Sequence, residues 1–128
     1  MKRSPLALGL ALLLGAAGAA HFVRPEPFDS IVPPVLGEPR PWVLISGVAE
    51  IACAGLLASA KTRRLGALAA IVLFVAVFPA NVYAALTGGY SGLPEPFNTA
   101  AAAYARLPLQ ALLIWWAWSI YRQDRADG

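Results

Sequence analysis

Four apolar stretches, each close to the roughly 20 residues that a helix needs to cross a hydrocarbon core, divide this chain and leave few folds open to it. Three cover residues 5–23, 42–60 and 65–86, and the fourth ends at Tyr121. Backbone facing lipid is satisfied only in helices and closed barrels, and these runs lack the alternation of barrel strands. The expected fold is all-α and integral to a membrane: a single domain over residues 1–128 built as a four-transmembrane-helix bundle. With 59% hydrophobic and 13% charged residues and a mean hydropathy of +0.62, the chain is too apolar for a soluble domain of this size.

The fourth span sets the geometry. From Leu107 to Tyr121 there are only 15 residues, about 22 Å of helix, so its start is expected earlier. Asn98-Thr99 is a good N-cap pair ahead of an alanine run, which places the helix at about 99–121 with a bend at Pro108. Trp115, Trp116, Trp118 and Tyr121 read as an interfacial belt, with Trp115 deep enough to line a cavity or meet a partner helix.

Charge orients the bundle. Lys2, Arg3, Lys61, Arg63, Arg64, Arg122 and Arg125 fall on one side of the four spans, and Arg24, Arg40 and Arg106 on the other. The positive-inside rule places both termini in the cytoplasm. The basic residues are gathered at helix ends and form no stripe that could track phosphates, so nucleic acid is not an expected partner. Lys2-Arg3, the run from Leu6 to Leu14 and Ala17-Gly18-Ala19 also match a cleavable signal peptide. Against cleavage, Ala7, Ala11, Gly15 and Ala19 form a small-residue stripe suited to close helix contact, and the first helix is expected to be retained.

Within this apolar background one carboxylate, Glu50, falls in the middle of the second span. An ionisable group at that depth costs a few kcal/mol, about 3 or more, unless paired or hydrated, and it is a functional-site candidate by default. Arg106 is expected at a similar depth on the fourth helix and is its natural ion-pair partner. His21, Asn81 and Gln110 fall in the same outer half, and Ser46, Gly47, Cys53 and Ala54 make the Glu50 face small or polar. Pro79 removes a backbone donor and frees a carbonyl one turn earlier. Together Glu50, Arg106, Gln110, Asn81 and His21 describe a polar pocket opening outward, with no catalytic assignment and no metal site among them. Each also has a plainer reading: Asn and Gln hydrogen-bond between membrane helices for about 0.6 kcal/mol each, Glu50 and Arg106 neutralise each other, His21 caps a helix, and Cys53 packs. A single cysteine excludes an internal disulfide, a CxxC pair and a multi-thiolate metal site.

The outer loops are long and proline-rich. Residues 24–30 (RPEPFDS) resemble residues 93–99 (LPEPFNT), each after an odd-numbered span, a pattern that duplication of a two-helix hairpin would leave. After the first span, Asp29-Ser30-Ile31-Val32 is expected to form a short interfacial helix capped by Asp29 and ended before Pro33, over the pocket mouth.

His21-Phe22, Pro25 with Phe28, Ile31-Val32-Pro33-Pro34, Ser46-Gly47-Val48-Ala49-Glu50, Thr62-Arg63-Arg64, Phe78-Pro79-Ala80-Asn81 and Arg106-Leu107-Pro108-Leu109-Gln110 run from the first span to the last. In this ordered set the chain resembles the DoxX-like family of small bacterial four-helix membrane proteins. The resemblance implies a multi-pass protein of the bacterial inner membrane, with membrane lipid as its surroundings. It does not imply one activity: some relatives are subunits of a thiosulfate:quinone oxidoreductase, others are linked to methylamine utilisation or oxidative-stress complexes, and a distant animal relative chaperones acetylcholine receptors. The wider fold group is similar to vitamin K epoxide reductase-like bundles, whose CxxC this chain lacks. Two classes of function follow. The first expectation is a non-catalytic adaptor, assembly factor or accessory subunit that docks a membrane or periplasmic protein, or a second copy of itself. The alternative is a quinone-linked oxidoreductase component, with a quinone as cofactor, or a bundle that binds a lipid or sterol-like ligand in the Glu50/Arg106 pocket.

Overall fold

The computed structural model describes residues 4–127, with side chains through residue 123; Lys2, Arg3 and the side chain of Arg125, three of the expected basic residues, lie outside that description. The described residues contain helices and no strands. In order they are α1 (Pro5–Val23), the single-turn α2 (Glu26–Asp29), a 3₁₀ turn (Pro34–Leu36), α3 (Pro39–Ala58), α4 (Arg63–Leu86) and α5 (Ala100–Asp127). Helices α1, α3 and α4 are long and apolar enough to cross a membrane. Helix α5, with Arg106 and Gln110 in its first half and a polar end from Arg122 to Asp127, is the least apolar of the long helices and, at 28 residues, the longest, about 42 Å.

Local chemistry sets the helix ends. Ser4 caps α1, its hydroxyl accepting from the Ala7 N–H at 3.1 Å, and Pro5 takes the first position, where a missing N–H costs nothing. Helix α3 starts three residues before the expected position because Pro39 and Pro41 both fit in a first turn. It stops at Ala58, where Ser59 turns extended, and the Thr62 hydroxyl donates to the Leu56 carbonyl at 2.7 Å. Helix α4 closes in a Schellman turn: Gly88 takes φ 101°, and the Gly89 N–H donates to the Ala84 carbonyl at 2.8 Å. Thr99 caps α5, accepting from the Ala102 N–H at 3.2 Å, and the helix continues past Tyr121 to Asp127.

Two expectations about the chain after α1 are corrected. The short helix lies at Glu26–Asp29, ahead of the predicted Asp29-capped segment, because Pro27 suits a first turn and Pro33 pushes Val32 out of the helical region. Asp29 is not its N-cap; its carboxylate instead accepts from the Arg40 guanidinium at 2.8 Å.

The long helices pack as two close pairs, α1 with α3 and α4 with α5, the same hairpins that the two similar loop segments suggest. Helix α3 also lies against α4, whereas α1 meets α5 only sparsely. The predicted stripe holds through Ala7, Ala11 and Gly15, which lie against the core or α3, but Ala19 is exposed; the buried face is Ala7, Leu10, Leu14, Gly18 and His21. In place of Ala19, Gly18 meets Gly47 and lets the two backbones approach; a Cβ on Gly47 would stand 3.1 Å from the Gly18 carbonyl oxygen. On the α1–α5 side, Trp116 packs on Gly9 and donates its indole N–H to the Leu6 carbonyl at 2.9 Å.

One end of the bundle carries the start of α1, the α3–α4 connection and the end of α5; we call it the terminal end, and the opposite one the loop end. The main core fills the terminal half, with Leu10, Leu57, Ala67, Ala70 and Ala117 fully buried. A second, smaller cluster of Ile31, Ala84, Ala85, Tyr90 and Ala103 lies under the loops. The Arg24 guanidinium donates to the Gly92 carbonyl at 3.0 Å, and the Ser91 N–H donates to the Ser30 hydroxyl at 3.1 Å, tying the two loop segments together.

Candidate functional site

Between the two clusters lies a cavity of about 290 Å³. Leu14 and Phe74 form its floor on the main core, and Ile31 and Tyr90 close it on the loop side. All five polar residues singled out in the sequence, His21, Glu50, Asn81, Arg106 and Gln110, line it. They divide into two groups that belong to the two helix pairs.

The α4–α5 wall is a continuous hydrogen-bonded chain. The Tyr90 hydroxyl donates to Asn81 Oδ1 at 2.9 Å, Asn81 Nδ2 donates to Gln110 Oε1 at 3.2 Å, and Gln110 Nε2 donates to the Phe74 carbonyl at 2.7 Å. Pro79 removes the donor that the Val75 carbonyl would use, and Gln110 reaches the carbonyl one residue before it. Burial, only partly opposed by the Arg106 charge, pushes the Tyr90 phenol above its ordinary range and keeps it a donor. Arg106 does not reach Glu50 as an ion-pair partner. Its guanidinium lies 4.6 Å from the centre of the Tyr90 ring in a cation–π contact, and the residue is exposed.

The α1–α3 wall holds the carboxylate. The partner of Glu50 is His21, with Nδ1 3.5 Å from Oε2. That distance is beyond a hydrogen bond, and His21 Nδ1 sits 2.7 Å from the Ala17 carbonyl oxygen. Because a carbonyl can only accept, Nδ1 carries a hydrogen and donates it to Ala17, which leaves Nε2 as the acceptor of the neutral ring. Phe28 stacks on the imidazole, the centroids 3.8 Å apart, and fixes its plane. Glu50 Oε2 is buried and has no hydrogen-bond donor among the described residues.

The five residues named from the sequence thus share one cavity, but Glu50 and Arg106 make no direct ion pair; their close contacts are Glu50 with His21 and Arg106 with Tyr90. A helix-face argument gives depth and leaves rotation open by a fraction of a turn, enough to exchange partners. Tyr90, which joins the guanidinium to the amide chain, is not among those five. Its signal in the sequence is the preceding pair Gly88-Gly89, both at positive φ, which folds the chain back over α5. Gly89 has no room for a Cβ, which would lie 2.6 Å from the Asn98 and Thr99 backbone. Trp115 is two-thirds exposed and does not line the cavity; Trp118 and Tyr121 stack at the terminal end, where Arg64 donates to the Tyr121 hydroxyl at 3.1 Å. Cys53 is buried in the main core.

The family whose sequence profile matches this chain is described as a domain of unknown function (DUF8561), and the match covers residues 10–121. No curated protein and no solved structure matches the chain.

Proposed function

The chain belongs to the DUF8561 family, and from that premise we propose a membrane-embedded ligand-binding bundle: an accessory component of a membrane complex that holds the head group of a lipid-borne molecule in the cavity at its loop end. The observation that carries this reading is Glu50 Oε2, a buried acceptor that has no donor among the described residues and faces the cavity. A buried unpaired acceptor costs about 1 to 3 kcal/mol, and a ligand that supplies a donor removes that cost. The cavity is close to the lower end of the range for small-molecule sites, about 300 Å³. It suits a head group whose tail stays in lipid. A quinone head and a lipid or sterol-like head both belong to this class, and with one cysteine any redox step would draw on a partner's carrier.

The same reading takes α5 as a fourth span, with the terminal end in the cytoplasm of a bacterial inner membrane and kinship to the DoxX-like proteins. Arg63, Arg64, Tyr121 and Arg122 gathered at the terminal end support it. Reporter fusions at the C-terminus and in the Gly88-Gly89 turn should fall on opposite sides of the membrane, with the C-terminus cytoplasmic. Fusions reporting one side would remove α5 as a span.

The binding test is direct. Protein purified in mild detergent should carry a co-extracted hydrophobic molecule identifiable by mass spectrometry. Returned at a hundred times its Kd, that molecule should add about 2.7 kcal/mol of stability. Glu50→Gln should weaken this response more than it weakens the fold. A second reading rests on the closed chain from Tyr90 to Phe74, which needs no ligand: the polar residues lock helix register, and the loops or α5 dock a protein partner. It predicts ligand-free protein that still supports assembly of its complex.

A further inference from the structure

Resting on the reading of the cavity as a head-group site, we infer that it selects a neutral amphiphile with a hydroxyl donor, an alkyl or aryl alcohol, over the matching ether or ketone. The selectivity follows from an inventory of which polar atoms are spent. Asn81, Gln110 and the Tyr90 hydroxyl bond one another and the Phe74 carbonyl. The Arg106 guanidinium lies on the Tyr90 ring at the exposed rim. That ring contact uses none of the Arg106 N–H groups, which lie at the rim within reach of water. His21 Nδ1–H is held by the Ala17 carbonyl. On the α1–α3 wall three groups remain: Glu50 Oε2, which has no donor, His21 Nε2, for which no protein partner exists among the described residues, and the Ser46 hydroxyl, which can donate or accept. Glu50 Oε2 and, in this tautomer, His21 Nε2 both accept, so a ligand that pairs them brings a donor.

Charge narrows the class further. An ammonium would also donate and would be drawn to Glu50, but it would pass Arg106 at the rim and leave water for a cavity lined mainly by apolar side chains, a cost that can exceed the gain from a buried ion pair. An anionic head would face Glu50. A hydroxyl meets neither penalty, and its carbon skeleton has Leu13, Leu14, Leu113 and Val77 to lie against. Donor-based sites discriminate strongly because the analogue without the donor leaves the protein's acceptor unpaired.

Matched probes test this in detergent micelles of the full chain. para-Heptylphenol and its O-methyl ether have nearly the same shape and differ in the donor; para-heptylbenzylammonium supplies a cationic donor. The phenol should raise the melting temperature and bind about tenfold or more tightly than the ether, with the ammonium no better than the ether. In Glu50→Gln the amide can be turned to donate, so the preference should shrink or reverse while the fold persists, as read by helical circular dichroism. Should that variant fail to fold, His21→Phe, which keeps the stack on Phe28, should reduce the preference by several-fold. Equal binding of phenol and ether would overturn the donor selectivity while leaving a head-group site standing. Preference for the ammonium would overturn the neutral class in favour of a cation site. No shift with any probe would overturn the selectivity and the binding reading together.

Discussion

Gly47→Leu should leave no stable bundle, and Gly47→Ala should lower unfolding free energy in detergent by about 1 to 3 kcal/mol, the range for forcing extra atoms into a packed contact. A Cβ at this position would lie 2.8 Å from the His21 Cβ, 3.0 Å from the Phe22 ring and 3.1 Å from the Gly18 carbonyl. Two of those neighbours are close to backbone and cannot swing away, so α1 must shift as a body. The shift carries His21 away from Glu50, and the loss should extend from stability to ligand response. Gly55 on the same helix is the control: a Cβ there meets nothing, and Gly55→Ala should be neutral or gain up to about 1 kcal/mol. Thermal unfolding of the three variants decides it. A Gly47→Ala protein as stable as the parent would mean that the helices do not approach as described.

Asn81→Leu is expected to destabilise by about 1 to 3 kcal/mol, because it strands the Tyr90 hydroxyl and Gln110 Oε1 at once. Hydrogen bonds between membrane helices average only about 0.6 kcal/mol. A loss near the top of the range would therefore come mainly from the stranded groups and only in small part from the missing bonds. Combining Asn81→Leu with Tyr90→Phe removes both ends of one bond and should recover part of the loss. Strictly additive effects would mean that the Tyr90–Asn81 bond is not coupled.

Apolar length locates the long helices, since a run of about 20 apolar residues leaves the backbone little alternative. The Thr99 cap and the inward face of α3 around Glu50 are also legible, because each depends on chemistry within a single turn. The α1 contact face follows the expected row through Ala7, Ala11 and Gly15 and then turns to Gly18 in place of Ala19: alanine and glycine recur so densely there that spacing alone cannot choose between them. The partner on α3 decides it, and the Gly47 carbonyl lies under Gly18. The segment after α1 is harder, because four prolines between Arg24 and Val35 each fix φ yet leave open which turn is hydrogen-bonded. The exchange of ion partners has the same origin. Residue counting puts Glu50 and Arg106 at one depth, but rotation about two helix axes and the return of the Gly88-Gly89 turn put an imidazole and a phenol ring where each was expected to find the other.

The division of the interior into a filled half and a hollow half bears on how a ligand comes and goes. Leu10, Leu57, Ala67, Ala70, Ala117 and Ile120 are at most 1% exposed and leave no polar step below the cavity floor. Among the described residues no hydrogen-bonded chain crosses that packed half. On the proposed reading of the cavity as a head-group site, a ligand would therefore enter and leave through one mouth, and the packed half would serve as its floor.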